Sequence, residues 1–441
     1  MKLPPGALAG TRVLDLSRVL AGPSSTQILA DHGADVLKVE PPSGDETRTW
    51  GPPFDAQGTA SYYHGLNRNK RGITLDLNTE AARAKVLELL ADSDVLVENF
   101  KTGTMDKWGL GWPVLQERFP RLVYCRVTGF GADGPYGGLP GYDAAIQALI
   151  GLMSVNGEPD ERGGQPLRAG VPVVDLATGL NAALGVTLAL FERERSGRGQ
   201  FLEVALYDVG LTLLHPHTAN HLMDGRIPKR TGNDHPNISP YDVFPTGTEP
   251  LFLAVGNDRQ FSQLCQGIGA PELASDARFT SNALRSKHRA ELRPLLEAAL
   301  ARHEGKALAV QLLEAGVPCA PIQDIAAALQ DAHTAHRGMV VQVGEHYRGI
   351  GSPIKLERTP PSYRLPPPPA RGLETPRAAP ICCQVRVRAR LLRAGLRHSP
   401  HLILTPGIWK RRPCRFRPKC SKSCTWSRTR CTPTRKSSCA S

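Results

Sequence analysis

The chain has 441 residues, 22% of them charged and 6% aromatic, which is enough for more than one domain with a sizeable core. Its formal charge of +13 is local: residues 377–441 carry 17 of the 54 Lys and Arg and none of the 41 Asp and Glu, so the remainder is slightly acidic and no nucleic-acid partner is expected for it. Seven of the ten cysteines share that stretch, leaving Cys125, Cys265 and Cys319 scattered, a usage that suits a reducing cytoplasm and excludes a disulfide framework.

The N-terminus, Met1 to Gly6, has no apolar h-region, so no signal peptide is expected. Residues 12–16 read as a strand, 24–31 as a helix and 35–40 as a strand, before a long loop opened by Pro41 and Pro42. Residues 73–77 read as a strand, 79–90 as a helix with apolar residues at helical spacing, and 94–97 and 121–127 as strands. Strands alternating with helices predict an α/β fold, a Rossmann-like parallel sheet covered on both faces. Such sheets bind ligands at the carboxyl ends of their strands. The loops at 18–23, 99–104 and 128–143 are all expected at that edge.

Four apolar residues, Val171 to Val174, read as a strand end, followed by Asp175 and a nearly continuous apolar run over 176–191 that predicts a buried helix. Thr178, Gly179 and Asn181 interrupt this run, which reads as too short and too polar to span a membrane. Asp175 then stands at a helix N-terminus, where free N–H groups and the dipole favour its negative charge. A carboxylate held there is a usable nucleophile toward an activated acyl group. It is equally a preferred N-cap.

Residues 201–206 read as a strand, 207–223 as a helix, 224–245 as a loop and 251–256 as a strand, with two or three helices over 258–315. The expected organisation is a large domain over 1–224, a smaller α/β domain over 225–325 and a return segment over 326–376. Short strands are expected at 339–343 and 354–356.

Gly129, Gly131 and Gly134 form a literal G-x-G-x-x-G after a strand. Pro135, Gly137, Gly138 and Pro140 follow, so no helix can open there to receive a pyrophosphate, and NAD or FAD is not expected. A glycine loop able to close over a site fits these residues better. Asn99 and Phe100 sit just past a strand end and offer an amide and a ring for a planar heterocycle, beside the plainer reading of a turn Asn and a core Phe. Asn69, Lys70 and Arg71 form one small basic cluster, and Lys101 with Lys107 another; both could pair with phosphates or form solvated faces. No metal-ligand or Walker motif is present in the sequence, and no metal is expected.

These residues carry a family resemblance. Ala21-Gly22-Pro23 with Gly33 to Pro41, then Asn69-Lys70-Arg71, Asp94 to Phe100 and Gly197 to Gln200 together resemble the class III CoA-transferases, the group of formyl-CoA, carnitine and succinate–hydroxymethylglutarate CoA-transferases. The resemblance covers about 8–360. It implies coenzyme A as the carried group, a catalytic aspartate at Asp175 within Asp-x-x-Thr-Gly, and transfer through an aspartyl-CoA thioester. CoA-contacting loops are implied at Leu20 and Ala21, at Leu77, Asn78 and Thr79, at Asn99, Phe100 and Lys101, at Lys107, and at Tyr142 and Asp143. It further implies a homodimer of protomers threaded like linked rings, with acyl-CoA and small carboxylic acids as partners. Pro41 replaces the formyl-CoA enzyme's adenine-contacting Arg, and Thr231-Gly232-Asn233 is the nearest counterpart of its four-glycine run. Both departures point away from formyl-CoA and oxalate. The same fold resembles α-methylacyl-CoA racemases, which carry a His-Asp pair where this chain has Tyr142-Asp143. A phenol is a poor base at pH 7. An inactive CoA-binding protein is the third reading.

Residues 377–441 lack acidic residues and periodicity, and their cysteines show no zinc-ligand spacing. Family members instead end in a short acidic helix. The stretch is expected to be disordered or read out of frame, without a packed core.

Overall fold

The structure is a computed structural model and describes residues 6–370. The expectations for residues 377–441 and for the end of the return segment lie outside the described residues.

Six parallel strands form the main sheet: β1 (Arg12–Asp15), β2 (Asp35–Glu40), β3 (Lys70–Thr74), β4 (Val95–Glu98), β5 (Val123–Thr128) and β6 (Phe201–Ala205). Their order is β3–β2–β1–β4–β5–β6. Val13 of β1 pairs with Val36 on one side and Val95 on the other. β4 and β5 are buried along their whole length, as strands covered on both faces must be. The order reverses between β1 and β4, and the loops that follow these two strands stand at the switch point where such sheets place a ligand crevice.

Alternation along the strands feeds two cores. Val13, Val36 and Val95 face a layer with Leu29, Val174, Ala182 and Val186, built from helices Ala21–Asp31 and Val173–Ser196. Leu14, Val39 and Leu96 face Val86, Leu90 and Leu115 on the opposite side. Each fully buried side chain of this size contributes about 1.5–3 kcal/mol.

Several expected elements shift. The first helix begins at Ala21 rather than 24, because Pro23 in its first turn has no N–H to waste. β3 lies at Lys70–Thr74 rather than 73–77. The stretch 207–223 forms two helices, Leu206–Thr212 and His217–Asp224, divided at Pro216, which cannot donate a helical bond. The strand expected at 171–174 is absent. Pro172 is instead the N-cap of helix Val173–Ser196.

That helix has 24 residues and is long and apolar enough to cross a membrane by length and composition, contrary to the sequence reading. Its inner face is buried on the sheet at Val174, Ala182, Val186 and Ala189. Leu176, Leu180, Leu184, Leu188 and Phe191 form a second apolar stripe that is exposed on the single chain.

β7 (Tyr241–Phe244), β8 (Leu251–Ala254) and β9 (Cys319–Pro321) form an antiparallel sheet. Phe244, Leu253, Phe261, Phe279, Leu296 and Leu312 form its apolar core with helices Asp258–Gly267, Arg289–Leu300 and Gly305–Glu314. Further short helices, Glu272–Ser275 and Asn282–Lys287, exceed the two or three expected. β10 (Val340–Val343) pairs with β11 (Tyr347–Ile350), whereas the strand expected at 354–356 is not formed. The chain then returns to the main sheet, where Asn69 donates its N–H to Leu365 O at 2.9 Å and Arg48 bonds Pro368 O at 3.0 Å.

Candidate active site

Asp175 lies in the first turn of helix Val173–Ser196. It does not cap that turn. The cap comes from Asp143, at the start of helix Asp143–Leu149, whose Oδ2 accepts the N–H of Val174 at 2.8 Å and of Asp175 at 3.1 Å. Gln147 donates to the other oxygen of Asp143 at 2.5 Å and accepts the Ala169 N–H at 2.9 Å. With the helix donors taken, the Asp175 carboxyl has no hydrogen-bond or ion-pair partner among the described residues.

The electrostatic result is opposite to the one expected from the helix dipole alone. Burial, and then the Asp143 charge, push the Asp175 carboxyl up to about 7. Desolvation and a like charge outweigh a terminus whose N–H groups already serve Asp143. A carboxyl poised near neutrality, unpaired and half-buried, has the character of a reacting group.

Two glycines bring the strand loops to this helix. A Cβ on Gly179 would stand 2.0 Å from Ser24 Oγ and 2.8 Å from Ala21 O, so only glycine allows the first helix to pack one turn beyond Asp175. A Cβ on Gly22 would meet the Ser17 side chain at 2.3 Å. Thr178 closes its hydroxyl onto Val174 O at 2.7 Å. The Asp-x-x-Thr-Gly and Ala-Gly-Pro motifs are thus two halves of one contact.

Leu20 and Ala21 are buried at the start of the first helix, after β1. Asn99 and Phe100 follow β4 across the crevice. The Asn99 amide is not free for a heterocycle: Oδ1 accepts the Arg18 N–H at 2.8 Å and Nδ2 donates to Arg18 O at 2.7 Å. It fixes the β1 loop instead. Val19 in that loop has φ 67°, a left-handed conformation that a β-branched residue keeps only when its surroundings impose it. The Phe100 ring meets Trp108 edge-on at 5.2 Å. Lys101 and Lys107 are exposed beyond it. Leu77, Asn78 and Thr79 follow β3, two strands away from β1, with their polar groups used locally: Asn78 bonds Asp76, and Thr79 caps helix Glu80–Leu90. Tyr142 is exposed, whereas Asp143 faces inward on the Asp175 helix rather than toward a ligand.

Other expectations are corrected. Asn69, Lys70 and Arg71 are not a phosphate cluster. Asn69 bonds Asp31 at 2.8 Å, Lys70 pairs with Asp15 at 3.1 Å and Arg71 with Asp35 at 2.9 Å. Burial alone would raise Asp15, but the Lys70 and Lys38 charges hold it down at about 2. In the glycine loop, the Gly131 N–H is taken by Thr128 Oγ1 at 2.8 Å and the Ala132 N–H by Glu203 at 3.3 Å, so neither is free for an oxyanion in this conformation. No helix opens at that G-x-G-x-x-G, in agreement with its sequence reading. Among the described residues no group of three or more His, Cys, Asp or Glu could hold a metal.

Tyr62 lies within electrostatic reach of the Asp175 and Asp143 carboxyls, without any sequence signal. Burial, then the charges of Asp175 and Asp143, raise its phenol to about 12, and its ring meets Trp50 edge-on at 5.2 Å. The segment 41–66 carries no periodicity that could have revealed this placement.

Comparison with known proteins agrees with the geometry. Residues 8–375 match the model of CoA-transferase family III. The succinate–glutarate CoA-transferase of Agrobacterium fabrum is 43% identical over 82% of this chain and 92% of its own length. The acetyl-CoA:oxalate CoA-transferase of Acetobacter aceti is 39% identical over 80% and 90%. A crystal structure of a CAIB/BAIF family protein from Brucella suis superposes with a TM-score of 0.73 and 41% identity, covering 82% of this chain and 96% of that one. The chain belongs to CoA-transferase family III, and the protein is a CoA-transferase.

Proposed function

We propose that the protein moves CoA from an acyl-CoA thioester to a free carboxylic acid through an aspartyl-CoA thioester on Asp175. The observation that carries this reading is the unpaired carboxyl of Asp175 beside the strand loops of the switch-point crevice. An Asp175 oxygen attacks the thioester carbonyl, the C–S bond breaks and CoA thiolate leaves a mixed anhydride. The thiolate then attacks the Asp175 carbonyl, expelling the first acid and forming the aspartyl thioester. The acceptor carboxylate displaces CoA to form a second anhydride. Attack of CoA on the acceptor's acyl carbon gives the new thioester and restores Asp175. Positioning and exclusion of water carry this chemistry, and good positioning can supply roughly 7–11 kcal/mol.

The proposed acids are small dicarboxylates, supported by the names of the relatives, which pair succinate with glutarate and acetyl-CoA with oxalate. A racemase has less support, because the Asp143 carboxylate is occupied by N–H donors and Tyr142 offers no imidazole. The proposal includes a homodimer of linked protomers, supported by the exposed stripe Leu176, Leu180, Leu184, Leu188 and Phe191. It also includes a large domain over 1–224, a small one over 225–325 with its own core, and a return segment from 326. A cytoplasmic location is proposed on the three buried free thiols. Incubation with a panel of acyl-CoAs and free acids, read by product mass, tests the reading. New acyl-CoAs should appear with dicarboxylate acceptors, and Asp175→Ala should make none. Near-full turnover by that variant, or deuterium exchange at the α-carbon of a 2-methylacyl-CoA without an acceptor, would overturn it.

A further inference from the structure

We infer that Arg18 is the anchor for a phosphate group of the CoA nucleotide, a role outside the CoA-contacting positions that family resemblance implies. The inference rests on the reading that the switch-point crevice receives CoA.

The buried basic side chains near the crevice are neutralised from within. Lys38 pairs with Asp45 at 3.0 Å, Lys70 with Asp15 at 3.1 Å and Arg126 with Glu98 at 2.8 Å. Arg18 is different. Its guanidinium lies over the Phe100 ring, 5.5 Å from the centroid. Among the described residues it has no ion pair and no side-chain hydrogen bond, and its Nε is shielded from water without a partner. A guanidinium held on a ring, with its N–H fork unfilled, is an unfinished recognition site for an oxyanion.

The backbone beneath it is fixed on every side. Asn99 grips both the N–H and the carbonyl of Arg18. Lys38 holds the preceding carbonyl, Ser17 O, at 2.8 Å. Val19 follows at φ 67°, with its N–H 3.4 Å from Asp45 Oδ1. Such a loop presents one side chain in one place, which suits ligand recognition better than a solvated surface arginine does. It follows β1 at the point where the sheet order reverses, where doubly wound folds receive the phosphates of nucleotide ligands. The ring of Phe100 adds a stacking face beside the cation. In CoA the matching groups are the pyrophosphate and the 3′-phosphate, whose shared chemistry is a multiply charged phosphate ester.

The test is calorimetric binding to the full chain carrying Asp175→Ala, which prevents turnover, with Arg18 intact or changed to Ala or Gln. Both changes leave the backbone bonds to Asn99 available, and thermal melting reports folding. CoA, 3′-dephospho-CoA and pantetheine are the ligands. Arg18→Ala and Arg18→Gln should weaken CoA by about 10–100-fold and leave pantetheine unchanged. A larger loss for CoA than for 3′-dephospho-CoA assigns the 3′-phosphate, and equal losses assign the pyrophosphate. The inference is overturned if a folded Arg18 variant binds CoA within twofold of its parent, or if pantetheine affinity falls equally. If the protein with Arg18 intact does not bind CoA, the underlying reading of the crevice fails instead.

Discussion

The carboxylate of Asp143 accepts the backbone N–H of Asp175 at 3.1 Å, so one acidic residue holds the turn that carries another. The same contact brings the two side-chain charges close enough for Asp143 to raise Asp175 after burial has done so. Asp143→Asn keeps an acceptor for the helix and removes the charge. The acid limb of the pH profile of kcat/KM, expected near pH 7 for the parent, should move to lower pH, because Asp175 ionises more readily without a neighbouring carboxylate. Asp143→Ala should also lower stability by about 1–2 kcal/mol through loss of the cap. An unmoved pH profile in Asp143→Asn would show that the two carboxyls do not communicate.

Asp175 should itself cost stability. Its folded pKa is raised from 3.8 to about 7, so the folded state prefers the protonated form. Stability from this group is fully present below about pH 4 and is lost as pH rises through 7. Asp175→Asn should therefore stabilise the protein at pH 8, by roughly 2–4 kcal/mol after allowance for partial contact with water, and hardly at all at pH 4. Chemical denaturation at the two pH values measures the difference. Equal effects at both would contradict the burial argument.

Much of this arrangement was legible in the sequence, and its gaps have physical causes. The strand at Asp35–Glu40 is legible to the residue because Val36, Leu37 and Val39 stand between Gly33 and the Pro41-Pro42 break. The resemblance singles out Asp175, whereas the close approach of its helix to the first one, at Gly179 and Ser24, has no local signal. A strand is expected at 171–174 because Val171, Val173 and Val174 favour extended backbone locally, while the cap that overrides them comes from Asp143, 32 residues before Asp175. Asn69-Lys70-Arg71 looked like a surface cluster because its partners Asp15, Asp31 and Asp35 are remote in sequence. Tyr62, in the short helix Ser61–His64, gives no signal, since no local pattern places it within electrostatic reach of Asp175 and Asp143.

Asn99 acts on the β1 loop. Asn99→Ala removes both bonds to the Arg18 backbone and should lower stability by about 1–2 kcal/mol. The KM for acyl-CoA should rise about tenfold, with a smaller change in kcat, because a loosened loop weakens binding before chemistry. Steady-state kinetics at saturating acceptor separate the two. A fall in kcat alone would place Asn99 in the chemical step.

Gly179 admits no side chain. Gly179→Ala forces a Cβ against Ser24 Oγ and Ala21 O, and should cost about 1–3 kcal/mol and disturb both the β1 loop and Asp175. Denaturant unfolding should show a lowered midpoint with an unchanged slope. A midpoint equal to the parent's would mean that the two helices are less closely packed than described.

The central claim is that Asp175 becomes covalently bound to CoA. The full-length protein, incubated with an acyl-CoA donor and no acceptor acid, should gain the mass of one CoA less one water. Peptide mapping should place the adduct on Asp175. Hydroxylamine should convert it to a hydroxamate at the same residue, and Asp175→Ala should show no adduct. Transfer that proceeds at full rate while Asp175 stays unmodified under these conditions would contradict the account.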